Sequence, residues 1–252
     1  MTLLRTEGLT VEFGGVRALD AVDLSFDAGG VVGLIGPNGG GKTTFIDAVT
    51  GMVTPSQGMV EFRGEDVTPL PPYERAQRGL IRTFQTLELF YDLSVEQNLA
   101  ATAEPLPWWQ FMVDAIRPSR SDAADQRVRS ALDQLGLQDD RDRMPAELSH
   151  GRRRLVGVAR ALAADPSLLL LDEPAAGLDS NESQELGARL RSIADSGVTI
   201  FLVDHDMSLV LDICETIHVL DFGSLVATGT PDEIRNDPVV IAAYLGSSSD
   251  SP

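Results

Sequence analysis

The residues with the most specific chemistry are Gly36-Pro37-Asn38-Gly39-Gly40-Gly41-Lys42-Thr43-Thr44. Their spacing, glycine, four residues, then glycine-lysine-threonine, is that of a loop whose backbone N–H groups converge on phosphate oxygens. Glycines keep side chains out of that cradle, and a helix starting directly behind it aims its positive end at the same point. In such a loop Lys42 reaches the β- and γ-phosphates of a nucleoside triphosphate, and the Thr43 hydroxyl holds Mg2+. Lys42 is also the only lysine in 252 residues; every other basic residue is an arginine. An ammonium is a compact point charge, whereas a guanidinium is a broad planar fork, so a tight anion nest admits the first and not the second. A chain biased towards arginine has kept lysine where only lysine serves.

A second constellation lies in Leu168-Leu169-Leu170-Leu171-Asp172-Glu173-Pro174, an apolar strand ending in two carboxylates. In open parallel sheets the carboxyl ends of strands are where ligands bind. Asp172 is placed to contact Mg2+ through water, and Glu173 to polarise an attacking water as general base. Alone this would read as a solvated strand end; the phosphate loop upstream turns it into a partner of that loop.

The elements that must hold these groups are legible from periodicity. Apolar residues at 31–35 form a compact strand leading into the glycine loop, and 45–49 reads as the helix behind it. Before them, LTVEF and VRALDAVDLSF flank Gly14-Gly15, a hairpin signal. A short strand follows at 59–62. From about 87 to 162 the pattern is mostly helical, and ADQRVRSALDQLGL puts Val128, Leu132 and Leu135 on one face. Pro105, Pro107 and Pro118 interrupt that region around Trp108-Trp109, a cluster that is a partner site if exposed and core if buried. Strands at 168–171, 198–203 and 217–220 then alternate with helices at 181–194 and 207–212, which predicts a parallel sheet with right-handed crossovers. The ending GSSSDSP is expected to be flexible.

Composition narrows the function further. The net charge of −18 argues against a general nucleic-acid binder and against docking on anionic lipid. Cys214 stands alone in an apolar setting, so it reads as a buried structural thiol, in keeping with a reducing cytosol. No apolar run approaches the ~20 residues a membrane helix needs, and the first residues do not form a signal peptide.

Taken in order, these motifs resemble the ATP-binding-cassette ATPases. The carriers are the glycine loop, Gln85 in RTFQ, Leu148-Ser149-His150-Gly151-Arg152, the LLLLDEP strand, Gly177-Leu178-Asp179, and His205 after FLVD. The resemblance spans about residues 3 to 245. More narrowly, LDEPAAGLD, VDHDM and GTPDEIRNDPVVIAAYLG are similar to ATPase subunits of branched-chain (hydrophobic) amino-acid importers, with urea-type importers close. The resemblance implies an α/β P-loop fold with a mixed, largely parallel core sheet, an antiparallel β subdomain, and a helical subdomain inserted at about 87–162, all in one domain over 1–246. It implies that Phe13 stacks on adenine and that Gln85 touches Mg2+ or the attacking water and relays to the permease. It further implies that Asp179 crosses between subunits and that His205 holds the γ-phosphate and Glu173.

The signature segment departs from the family's common LSGGQ: His150 replaces a glycine and Arg152 a glutamine, while Ser149 and Gly151 remain. Ser149 is a good N-cap, so a helix is expected to begin there and point its N-terminus at phosphate. Arg152-Arg153-Arg154 reads as a solvated or acid-paired face. With one phosphate loop and one signature in the chain, the family's architecture implies a head-to-tail pair of ATPase subunits, identical or merely similar, with ATP and Mg2+ between them. It also implies integral-membrane permease subunits as partners, on the cytoplasmic face of the cell membrane. Urea, lipid or lipopolysaccharide traffic, a soluble non-transport protein of the same family, and a cassette without turnover are the competing readings.

Overall fold

The computed structural model describes residues 1–83, 89–103 and 121–246; Gln85, Trp108-Trp109 and the 247–252 tail lie outside them. The strands are β1 (Thr2–Phe13), β2 (Val16–Asp27), β3 (Val31–Ile35), β4 (Gln57–Phe62), β5 (Glu65–Asp66), β6 (Leu80–Arg82), β7 (Leu168–Asp172), β8 (Thr199–Val203), β9 (Thr216–Asp221) and β10 (Ser224–Gly229). The helices are α1 (Lys42–Thr50), α2 (Pro72–Gln77), α3 (Val95–Ala103), α4 (Asp122–Gln134), α5 (His150–Ala163), α6 (Ser180–Asp195), α7 (Met207–Ile213), α8 (Pro231–Asn236) and α9 (Pro238–Gly246).

The strands form two sheets. A four-stranded sheet runs β2-β1-β4-β5 and is antiparallel throughout. Its first hairpin turns at Gly14-Gly15, where Phe13 faces Val16. A six-stranded sheet runs β10-β9-β3-β8-β7-β6; its pairs are parallel except for the edge pair β9–β10. Strands β3, β7 and β8 are buried at every position. That is why they read as apolar runs rather than as alternation: both faces of this sheet are covered.

The two faces divide by the strand period of two. Leu34, Leu168, Leu170, Phe201 and Val203 pack against α1 and the antiparallel sheet, with Leu4, Leu9 and Phe62. Ile35, Leu169, Leu171, Ile200 and Leu202 pack against α3 to α7. Phe201 stacks on Phe26 at 5.4 Å between ring centroids and lies 5.8 Å from Phe45. Val128, Leu132 and Leu135 of the predicted amphipathic helix are all buried. Cys214 is buried as expected, and burial pushes its thiol up to about 12.

Arg75 has no counterpart among the sequence-based expectations. Its side chain is 2% exposed and donates to the carbonyls of Ala48 (2.8 Å), Val49 (2.7 Å), Thr68 (2.8 Å) and Leu70 (3.0 Å). A cation at the carbonyl end of α1 meets the negative pole of the helix behind the phosphate loop.

His218 on β9 is 3% exposed, with Nδ1 2.9 Å from the Thr228 hydroxyl on β10, and burial pushes its pKa down to about 4. Unfolded, the ring has an ordinary pKa near 6.5. Between those values the unfolded chain binds a proton that the folded chain refuses, so folding weakens as pH falls through that window. The expected loss is about 3 kcal/mol between pH 7 and pH 4 from this group. Urea melts of the native chain and of His218→Gln across that range check it: the variant should lose less stability on acidification than the native chain.

Candidate nucleotide-binding site

Register assembles the site. Leu34 of β3 pairs with Val203 of β8, and Val203 pairs with Asp172 of β7, so three parallel strands end side by side. Two residues beyond Leu34 the chain enters the glycine loop, two beyond Val203 it carries His205, and one beyond Asp172 it carries Glu173. Neighbouring strands are about 4.8 Å apart, so these groups share one edge of the sheet.

The loop closes tightly. Gly36 sits at φ +150, and a Cβ there would come 1.9 Å from the Leu220 carbonyl oxygen. Gly41 precedes α1 at φ +101, with the Ala18 carbonyl 2.8 Å from where a Cβ would stand. The Gly40 N–H donates to the Pro37 carbonyl (3.0 Å), and the Gly40 carbonyl accepts from Gly223 N–H (3.0 Å) at the tip of the β9–β10 hairpin. Lys42 Nζ arches back over the loop and donates to the carbonyls of Gly36 (2.7 Å) and Pro37 (2.9 Å). Burial lowers the Lys42 pKa, opposed by the charges of Glu173 and Asp172, so the ammonium faces both carboxylates of the neighbouring strand end. Asn38, Gly39 and Thr43 are exposed and Thr44 half-buried at the mouth of the loop.

Asp172 is 2% exposed and bonds Arg82 Nη2 of β6 at 2.9 Å; the same guanidinium pairs with Asp47 of α1. Burial raises the Asp172 pKa, and Arg82 opposes that rise. Glu173 adopts φ +50, a left-handed conformation unusual for its type, held by its N–H donating to the Val203 carbonyl at 2.7 Å. His205 is exposed, with Nδ1 3.6 Å from Asp204 Oδ1. Asp204 is buried and braces both strand ends, accepting from Ala175 N–H (3.0 Å) and Asp206 N–H (2.9 Å). Phe13 is 51% exposed at the β1–β2 turn. Gln85 falls among the residues not described.

The signature residues gather elsewhere. Ser149 caps α5, its hydroxyl accepting from Arg152 N–H at 3.2 Å. Asp179 caps α6, accepting from Asn181 N–H (2.8 Å) and Glu182 N–H (2.9 Å). Ser149, Gly151 and Arg152 border a cavity of about 190 Å3 with Glu182 of α6. Gly151 faces Glu182 closely: a Cβ would stand 2.6 Å from its carboxylate oxygen, so that side chain would have to shift. Arg152 pairs with Asp140 (3.3 Å) and donates to the Gly136 carbonyl (2.8 Å), the acid-paired reading. The His150 ring lies against Gly177, with Nε2 3.3 Å from where that glycine's Cβ would stand. Among the described residues, no hydrogen bond or ion pair joins Ser149, Gly151 or Asp179 to the glycine loop.

The donor set suits Mg2+. Thr43 and Asp172 offer only oxygen, and among the described residues no cluster of three His, Cys, Asp or Glu forms a closed metal cage. Mg2+ is held in this sparse way, by one or two protein oxygens together with phosphates and water. Sequence reasoning missed Arg82 and Tyr244, although both sit inside quoted segments, RTFQ and IAAYLG.

The sequence profile of the ABC transporter family matches residues 19–176, and that of the branched-chain amino acid ATP-binding cassette transporters matches residues 224–250. The high-affinity branched-chain amino acid transport ATP-binding protein LivG of Salmonella typhimurium is 39% identical over 250 residues, covering 97% of this chain and 98% of the relative. The corresponding protein BraF of Pseudomonas aeruginosa is 36% identical over the same shares. The lipopolysaccharide export system ATP-binding protein LptB of Haemophilus influenzae is 35% identical over 246 residues, 98% of each. A crystal structure of an ATP-binding cassette of an ABC transporter in its ADP conformation superposes with a TM-score of 0.86 at 29% identity, over 98% of this chain and 99% of that one. A nucleotide-free cassette gives 0.84 at 31%, over 97% and 99%. The chain belongs to the ABC transporter family and is one of its ATP-binding, ATP-hydrolysing subunits.

Proposed function

We propose that this ATPase energises an importer of branched-chain, hydrophobic amino acids. The observation that carries the cargo is the match of residues 224–250 to the branched-chain profile, beside relatives of that kind along nearly the whole chain. The loop 36–44 binds the phosphates of ATP, with Lys42 against the β- and γ-phosphates and Phe13 stacked on the base. Thr43, Asp172 and Gln85 would hold Mg2+, which would supply positive charge against the phosphates. Glu173 takes the proton of the attacking water, and His205 orients Glu173 and the terminal phosphate.

Ser149, Gly151 and Asp179 complete the site of a second subunit. Their separation from the glycine loop within one chain supports this: the Ser149-capped N-terminus of α5 has its own orphan N–H groups to offer a phosphate. The working unit is therefore a head-to-tail pair around two ATP molecules, docked on permease subunits at the cytoplasmic face of the membrane. No helix among the described residues is long and apolar enough to cross a membrane.

Glu173→Gln, trapped with Mg-ATP and pulled from native membranes, tests the assignment by mass spectrometry of what travels with it. Multi-helix permeases and an amino-acid-binding protein are expected. Lipopolysaccharide-export components would transfer the cargo to the reading that the LptB relative favours. Recovery of soluble partners alone would overturn transport altogether.

A further inference from the structure

Gly36 leaves the sheet on both sides. The last pairs of β3 are Leu34 with Val203 and Ile35 with Val219, so the Gly36 N–H has no strand partner. It donates instead to the Tyr244 hydroxyl at 2.9 Å, across 208 residues of sequence. Tyr244 lies on α9, whose Val240 is buried and whose Tyr244 ring packs against the larger apolar cluster. Burial raises the phenol pKa above its ordinary value, so the group is a neutral hydroxyl at physiological pH.

The other end of the same residue holds the lysine: the Gly36 carbonyl accepts from Lys42 Nζ at 2.7 Å. Gly36 is thus fixed at its N–H by the last helix and occupied at its carbonyl by the ammonium. Its φ of +150, and the Leu220 carbonyl oxygen 1.9 Å from where a Cβ would stand, admit glycine alone at this turn.

We infer that Tyr244 is a positioning residue of the phosphate loop, seating the Gly36 peptide so that Lys42 stands ready for the triphosphate. The last helix is then a working part of the nucleotide site. This rests on the loop binding ATP, as proposed above. Without the hydroxyl, the Gly36 N–H loses its partner and the turn into the loop loses one of the bonds that fix it, so the Gly36 carbonyl that receives Lys42 is held less firmly.

The test uses the full chain and Tyr244→Phe, which deletes one oxygen and keeps the ring. Affinities for Mg-ATP and for tripolyphosphate are measured by calorimetry, and unfolding is followed without nucleotide. Both affinities should fall about tenfold in the variant, the loss of one hydrogen bond in a pre-organised site. Val240→Ala loosens the same helix but leaves the hydroxyl in place. It should lower the unfolding temperature at least as much as Tyr244→Phe while holding both affinities within twofold. Unchanged affinities in Tyr244→Phe would overturn the inference, as would equal affinity losses in the two variants, because the helix would then act through stability alone. A native chain that binds neither ligand would remove the nucleotide reading and this inference with it. A native chain that binds both, alongside a Tyr244→Phe chain that binds both equally well, removes only the inference.

Discussion

Glu173→Gln is expected to lower the rate of ATP hydrolysis by about 100- to 10,000-fold while leaving Mg-ATP affinity within a few-fold of native. Glutamine keeps the shape and hydrogen-bonding reach of the side chain but cannot take a proton from water. The backbone argues that this side chain is held in place for a purpose. A non-glycine residue at φ +50 costs about 1–3 kcal/mol, and here the Val203 carbonyl locks it through the Glu173 N–H. With turnover stopped, the ATP-bound pair should accumulate. Light scattering at saturating Mg-ATP should give twice the monomer mass, falling back when nucleotide is removed. Near-native turnover would show that the base lies elsewhere, and a monomer under those conditions would remove the head-to-tail arrangement.

Arg82→Met carries the second large effect, on stability. Arg82 is 9% exposed and joins Asp172, 2% exposed, to Asp47 of α1. Removing the cation leaves the Asp172 carboxylate buried without its counter-charge, a change that typically costs about 3–5 kcal/mol. Asp47 is 28% exposed, so water relieves most of its share. Urea unfolding should therefore show a loss near the lower end of that range. Arg82→Met combined with Asp172→Asn should recover part of it, because the buried charge is gone as well. An unchanged midpoint in the single variant would mean the ion pair adds nothing net. The bridge also ties the strand that precedes Gln85 to the carboxylate assigned to Mg2+, so the variant should need more Mg2+ for half-maximal turnover.

What the sequence made legible was what is local. The glycine loop, the leucine run ending in Asp172 and Glu173, and the Ser149 cap each carry their meaning within ten residues, and each stands where expected. Strand alternation gave the parallel sheet because β3, β7 and β8 are buried on both faces and so read as unbroken apolar runs. The groups that escaped notice act across the fold. Arg75 looks like any surface arginine in PYERAQ until α1 is seen to end against it. Strand β10 is mostly half-buried at an edge, which blurs its period. Tyr244 meets Gly36 only because α9 returns to the start of the loop, and no spacing rule encodes that return.

The strand order has a consequence for how the protein is made. Gly29 bonds Thr199, 170 residues away, and β3 lies between β8 and β9, both of which follow far along the chain. At about 5–20 residues per second, the ribosome exposes Val31–Ile35 for roughly ten to thirty seconds before either neighbour exists. During that interval a fully apolar strand has two open edges and nothing to pair with in its own chain. The antiparallel sheet and α1 can form early and shield one face. The Leu220 carbonyl and Gly223 N–H that close on the phosphate loop, and the Tyr244 hydroxyl that meets Gly36, are made later still than β8. Until β8 and β9 follow, β3 is a strand buried in the folded protein whose edges stay open to strands of other chains.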